Sequence, residues 1–427
     1  MKQYLLPWLP FFSSLLISIY GSILRLMRKV GLIKVLDSSA LILPPSAPGS
    51  LGDEAMVVAS VEYLRKQGIT QVGLVAYHPR QQYSVTVEES INMRDYFIFG
   101  SAQSFIKKFI QFGYSVSRYE RHYCLGADLM DGYYSDYATF KKVKLIELAA
   151  KAGLETAILG FSFNEKPTST AVKVLRGLPS HTRLCARDPI SQERLDTHLN
   201  RPIQLVADLA FLLHPAQDSD KVSQVREWIS EQRKQDRIIV GINANNLLVK
   251  DSENSTPQFL IQAYVNHLQA LFSENSKISF LLISHDFRKL KGMLNDDNLA
   301  QEILQALPSE MQPYSFRMPN PYTSSEVKAV VKELDIVLSG RMHLAIACLG
   351  QAVPIVCVTY QGKFEGLFKH FELEGMAITP DGILASESAE FTKRFLHLIE
   401  VRENTHKHIK EKLPAIQQLA LANFGNS

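Results

Sequence analysis

The sequence predicts an α/β protein: two doubly wound, Rossmann-like domains facing a cleft, preceded by an apolar N-terminal helix. Three observations carry this reading. At 427 residues the chain is too long for one ordinary hydrophobic core, and two domains follow. Short apolar runs alternate with amphipathic stretches along most of its length, the pattern of strands and crossover helices. A break follows Phe211-Leu212-Leu213-His214-Pro215, where the chain enters the polar stretch 216–221. The chain therefore divides into an apolar segment at 1–35, an N-terminal domain at 36–215, a C-terminal domain at 216–385 and terminal helices at 386–427.

Taken in order, apolar runs at 40–43, 72–76, 96–99, 123–125, 157–161, 184–187 and 205–207 read as strands of the first domain. Helical patterns at 53–66, 104–112, 140–152, 168–178 and 189–199 lie between or after them. The last opens with Asp188-Pro189, an N-cap followed by proline at the first helical position. The second domain resumes with strands at 238–242, 278–283, 336–338 and 355–359. Its helices are expected at 258–272, 299–307, 324–332, 343–349 and 362–370.

Composition excludes several classes of function. The 46 basic and 43 acidic residues leave a net charge of +3, with no dense Lys/Arg tract to suggest nucleic acid. Cys124, Cys185, Cys348 and Cys357 form no CxxC pair and sit in apolar runs. They read as buried, reduced thiols and argue against a structural zinc site. From Gln3 to Leu24 no charge occurs, and Arg25, Arg28, Lys29 and Lys34 follow. The basic flank comes after the apolar run, the reverse of a signal peptide, and would keep the body cytoplasmic. Residues 3–24 thus read either as a membrane anchor or interfacial helix, or as a helix docked on the body or on a partner.

Most chemistry-bearing residues fall where strands end, the place at which doubly wound sheets bind ligands. After Ile336-Val337-Leu338 comes Ser339-Gly340-Arg341-Met342-His343. Arginine is a planar, permanently charged fork for carboxylate or phosphate, and histidine an acid or base near neutral pH. Pro48-Gly49-Ser50-Leu51-Gly52-Asp53-Glu54 opens a helix; it is either an anion- or sugar-binding loop or a plain turn whose acids stabilise the helix start. Gly126-Ala127-Asp128-Leu129-Met130-Asp131-Gly132-Tyr133-Tyr134 suits sugar hydroxyls or a capped turn equally. Ser162 follows another strand, and Arg187 stands at a strand tip beside a helix start. Asp208 is a single acid in an apolar run, and Ser284-His285-Asp286 reads as a loop histidine. Lys363 at a helix start is either a phosphate contact or a solvated lysine.

The order of these motifs is more specific than any one of them. Gly52-Asp53-Glu54-Ala55, Gly126 to Asp131, Gly160-Phe161-Ser162, Arg187-Asp188, Asp208 with Phe211, Ser284-His285-Asp286, Arg341-Met342-His343 and Pro354 to Lys363 together resemble the polysaccharide pyruvyl transferase family over residues 46–372. The first motif lacks the Asn often found before Gly-Asp, and Gly126-Ala127-Asp128 stands where a run of glycines is common. The resemblance implies a GT-B-like transferase that moves the enolpyruvyl unit of phosphoenolpyruvate onto a sugar as a cyclic ketal and releases phosphate. It implies His343 as acid/base, Arg341 and Arg187 as clamps on phosphoenolpyruvate, and Lys363 as a weaker phosphate contact. Gly52, Asp53, Asp128, Asp131 and Ser162 are the implied substrate-binding residues. No metal or cofactor is required, and the acceptor is a glycan or lipid-linked sugar of polysaccharide synthesis at the inner face of the membrane. A GT-B glycosyltransferase using a nucleotide sugar and a non-catalytic glycan-binding relative are the competing readings.

Overall fold

The structure, a computed structural model, describes residues 9–77, 83–93, 102–249, 256–288, 294–359, 364–384 and 389–425. It forms two compact units: unit 1 is Met1–Pro48, Met56–Leu212 and Leu419–Ser427, and unit 2 is Gly49–Ala55 and Leu213–Gln418.

Unit 1 runs α1 (Leu9–Lys29), β1 (Ser39–Leu43), α2 (Leu51–Lys66), β2 (Gln71–Ala76), β3 (Glu89–Asn92), α3 (Ala102–Val116), β4 (Arg121–Ala127), α4 (Asp136–Lys151), β5 (Glu155–Phe161), α5 (Ser169–Arg176), β6 (Arg183–Ala186), α6 (Pro189–His198) and β7 (Gln204–Leu205). Its strands are parallel in the order β3-β2-β1-β4-β5-β6-β7. Strand β1 is buried along its whole length, as a central parallel strand covered on both faces must be. The strand order reverses between β1 and β4, which makes that gap the switch point of the sheet.

Unit 2 runs α7 (Asp220–Arg233), β8 (Ile238–Asn243), α8 (Pro257–Glu274), β9 (Ile278–Leu282), α9 (Asp296–Ala306), β10 (Ser315–Arg317), α10 (Ser324–Val331), β11 (Ile336–Ser339), α11 (Met342–Leu349), β12 (Ile355–Val358), α12 (Phe364–Phe371) and β13 (Ala377–Ile378). Helices α13 (Pro380–Leu384), α14 (Ala389–Glu400) and α15 (Arg402–Leu421) follow. The sheet is parallel in the order β10-β9-β8-β11-β12-β13, with its switch point between β8 and β11. Local signals set the helix starts. Asp188 caps α6, and Thr323 with Glu326 forms a capping box at α10.

Three differences from the sequence reading bear on the site. Gly49–Ala55 was expected in the N-terminal domain but belongs to unit 2. Ser50 bridges Asp286, Phe287 N–H donates to the Gly49 carbonyl at 2.8 Å, and Leu51 N–H to that of His285 at 3.1 Å. Helix α9 begins at Asp296, not Leu299, because Asn295 caps it by accepting from Asn298 N–H. The edge strand β3, Glu-Ser-Ile-Asn, is polar, and β10 and β13 are too short, so no apolar run marks them. The strand expected at 96–99 lies outside the described residues.

Helix α1 is docked on unit 1. Ile17 and Leu24 join the buried cluster of Phe112, Val116 and Leu148. Arg28 donates to the carbonyls of Ser117 and Tyr119 at 2.5 and 2.6 Å, and Tyr20 Oη to that of Ile110 at 2.7 Å. Among the described residues no helix is long and apolar enough to cross a membrane. All four cysteines are buried and free, and burial pushes Cys124 up to about 11 and Cys185 to about 12, far from reactive thiolates.

Candidate functional site

A charged cluster in unit 2 forms at the carboxyl ends of β8, β9 and β11, around the switch point. Ser339 ends β11 and donates from Oγ to Asn243 Oδ1, at the end of β8, at 3.1 Å. The same Oγ accepts from the Arg341 N–H at 2.9 Å, which turns the chain into α11. Arg341 is the N-cap residue of α11, with extended backbone and no side-chain cap bond. Its guanidinium is engaged by two acids instead. Nε and Nη2 donate to Asp296 at 3.1 and 2.6 Å, a bidentate pair, and Nη1 lies 3.3 Å from Asp286.

Asp296 is the hub of this cluster. Besides Arg341, its carboxylate accepts from Asn243 Nδ2 at 3.1 Å and from the His285 N–H at 3.1 Å. Asp286 in turn holds Arg288 through Nε at 2.9 Å and Nη2 at 2.5 Å. Burial pushes the Asp286 carboxyl up, but the bonds from Arg288 and the charge of Arg341 outweigh it and hold Asp286 below the usual carboxylate range. His285 is fully buried; desolvation, aided by the nearby His343 and Arg341, lowers it to about 3, so this ring is neutral.

The glycine-bearing loop closes over the cluster. A Cβ on Gly52 would overlap the His343 ring at Nδ1 and Cγ, so only glycine lets the first turn of α2 lie on the imidazole. Gly49 has φ of +121° and its missing Cβ would stand 2.8 Å from Cγ of Arg288. Asp53 acts on Arg288 through its charge, and Glu54 accepts from Ser324 N–H and Oγ at 3.0 and 3.2 Å at the start of α10. Gly52, Asp53, Arg341 and His343, far apart in sequence, thus meet in one cluster.

The other sequence candidates gather in unit 1, at the carboxyl ends of β4, β5 and β6. Arg187 is buried, its side chain 1% exposed, donating to Ser162 Oγ at 2.6 Å and to Asp208 at 3.0 Å. Asp131, also buried, accepts from Tyr133 N–H at 2.9 Å and Asn164 N–H at 3.2 Å, tying the loop after β4 to that after β5. Asp128 is half-buried and accepts from Tyr134 Oη at 3.1 Å, with Tyr133 and Tyr134 both exposed beside it. Lys363 lies outside the described residues.

Sequence reasoning missed Asp296, Arg288 and Asn243. Asp296 had a signal, an Asn-Asp-Asp run ahead of Leu299 and Ile303, which is a capped acidic helix start. Arg288, with 36% of its side chain exposed against 16% for Arg341, is the more accessible cation of the cluster. Among the described residues, no group of three or more His, Cys, Asp or Glu could hold a metal ion.

Two parallel, doubly wound sheets, with an arginine–histidine cluster at the switch point of the second, define a GT-B-like α/β protein. Solved structures agree on that fold. A Listeria monocytogenes protein assigned as a UDP-N-acetylglucosamine 2-epimerase matches with a TM-score of 0.54 at 9% identity, over 92% of this chain and 97% of that one. S. aureus MnaA, solved with UDP, matches at 0.53 and 10% identity over 87% and 90%. A UGT transferase from Siraitia grosvenorii in complex with UDP matches at 0.53 and 11% identity over 90% and 97%. At such identities the likeness is one of fold alone. A search of curated proteins found no match. The family itself is settled by residues 51–362, which match the profile of the polysaccharide pyruvyl transferases: the chain belongs to that family, and it is a transferase.

Proposed function

We propose that this transferase moves the enolpyruvyl unit of phosphoenolpyruvate onto two hydroxyls of a sugar, as a cyclic ketal, and releases phosphate. The observation that carries the reading is the seating of His343 on Gly52 in the cluster that holds Arg341 and Arg288, all within the family-matched segment. A proton goes to the methylene carbon of phosphoenolpyruvate, which becomes the methyl group, and positive charge develops at the neighbouring carbon. One sugar hydroxyl adds there and gives up its proton. The bond from that carbon to the phosphate oxygen then breaks, and the second hydroxyl closes the ring, giving up its proton, so that phosphate leaves with one proton.

His343 is assigned the proton transfers, a role worth roughly 10²–10⁴-fold in rate. Arg341 and Arg187 were expected to clamp the donor directly. Their guanidiniums are locked on Asp296, Asp286 and Asp208, so in this reading they position the strand-end loops. Arg288 is also bound to a carboxylate, that of Asp286, but with 36% of its side chain exposed it keeps access to solvent, and it and the N-terminus of α11 then meet the donor's anionic groups. Asp128 with exposed Tyr133 and Tyr134 is assigned to the sugar, its carboxylate for hydroxyls and the rings for the apolar sugar face. The acceptor is a polysaccharide or lipid-linked precursor met at the inner face of the membrane.

Incubation with phosphoenolpyruvate and candidate glycans tests this. Acceptor-dependent phosphate release, with pyruvate gained on the sugar, is the expected result. Binding and turnover of a nucleotide sugar, with no response to phosphoenolpyruvate, would overturn it in favour of glycosyl transfer.

A further inference from the structure

Among the described residues, every exposed large apolar side chain except Tyr133 and Tyr134 lies on α1, the turn behind it, or α3. On α1 they form a stripe, Leu15, Ile19, Ile23 and Leu26, which Val30 continues in the turn behind it, all between 48% and 61% exposed. Spacings of three and four residues put the four helical ones on one face. The opposite face, with Ile17 and Leu24, is committed to the core of unit 1. An amphipathic helix of a globular protein needs one apolar face; α1 has two, and among the described residues only one is covered.

Charge identifies what covers the other. Neither α1 nor α3 carries a single acidic residue. Arg25, Lys29 and Lys34 stand exposed on α1 and just after it, and Lys107 is exposed on α3. An apolar stripe flanked by these cations, on helices that carry no acid, matches an anionic lipid interface, where the stripe enters the headgroup–acyl boundary and the basic groups are drawn to the surface charge. A cavity of about 650 Å³ opens beside the stripe between α1, α3 and β3, where Leu24, Met27 and Phe112 share the wall with Glu89, Lys108 and Gln111.

We propose that the α1–α3 face rests on an anionic phospholipid surface, with α1 in the plane of the bilayer. A spanning orientation would detach Arg28 from the Ser117 and Tyr119 carbonyls, Tyr20 from Ile110, and Lys144 from Ser14 Oγ at 2.9 Å. The proposal deepens the membrane attachment given above by naming its surface and its lipid chemistry. It rests on that reading only for its purpose, which is to bring the enzyme to a lipid-linked acceptor.

The test is flotation of the full chain with vesicles of phosphatidylcholine alone or mixed with phosphatidylglycerol. Binding is expected to the mixed vesicles and to fall about tenfold or more with phosphatidylcholine alone or in high salt. Ile19→Ser/Ile23→Ser/Leu26→Ser alters exposed positions only and should abolish flotation while leaving phosphate release with a soluble acceptor intact. Wild-type protein that ignores anionic vesicles, or a triple variant that floats as well as wild type, would overturn the proposal. So would a wild-type dimer that this variant dissolves, since a second copy would then be the occupant. Flotation without any turnover of phosphoenolpyruvate would sink the catalytic reading and leave this one standing.

Discussion

Gly52 lies against the imidazole of His343 so closely that a single methyl group on it would overlap the ring. The glycine sits in the first turn of α2, where alanine would by propensity alone be better by roughly 0.5–1 kcal/mol. Its presence is therefore explained by the ring and not by the helix. The histidine ring lies between the first turn of α2 and its own helix, α11.

Gly52→Ala is accordingly expected to move the imidazole, at a cost of about 1–3 kcal/mol in stability for the overpacking. A displacement on the order of 1 Å at a reacting group costs about 10²-fold in rate. Turnover and urea denaturation measured side by side check this. Normal turnover in Gly52→Ala would show that the seat has no bearing on catalysis.

His343→Gln keeps a polar side chain of similar reach but cannot exchange a proton. Turnover should fall by roughly 10²–10⁴-fold while phosphoenolpyruvate binding, read by calorimetry, stays within a few-fold. A fully active variant would refute the acid/base role.

Arg341→Ala removes the cation facing Asp296, whose side chain is 1% exposed. Stranding a buried carboxylate costs about 3–5 kcal/mol. The variant should lose stability first, and Arg341→Ala/Asp296→Asn should recover part of the loss. If both single and double variants fold as well as wild type and only donor binding falls, Arg341 is a direct clamp and the positioning role is wrong.

Lys328 on α10 is buried beside Gly350 at the carboxyl end of α11, and burial lowers its ammonium to about 7. An unfolded lysine titrates near 10.4. Between roughly those two values the unfolded chain binds a proton the folded chain lacks, so this group's contribution to stability falls as pH drops from about 10.4 to about 7. Lys328→Met should therefore raise the urea midpoint at neutral pH, with the gain shrinking towards pH ~10. An equal gain at both pH values would contradict the assignment.

The two sheets were largely legible because their central strands are apolar on both faces, as Ile336-Val337-Leu338 and Ile278 to Ile283 announce. Arg341 and His343 were visible because a charged pair directly after such a run marks a strand end. What surrounds them was not. Asp296 and Arg288 sit in polar stretches that read as loop; Arg288 lies two residues from Asp286, but only the folded chain brings Asp296 and Asp286 to Arg341. The glycine loop looked equally like a plain turn, because the ring and the guanidinium its glycines accommodate belong to segments far along the chain. Arg187 looked like an anion contact from its position at the tip of β6. Its burial depends on Asp208 and Ser162, two residues noticed separately that spacing alone could not pair with it.

The central claim, that the donor is phosphoenolpyruvate and the product a ketal, is tested most directly by carbon NMR with donor labelled at its enol carbon. With a competent glycan the label should move into a ketal carbon bonded to the sugar as phosphate appears, and His343→Gln should suppress both together. A label that stays in phosphoenolpyruvate, while the same preparation transfers sugar from a nucleotide donor, would contradict the account.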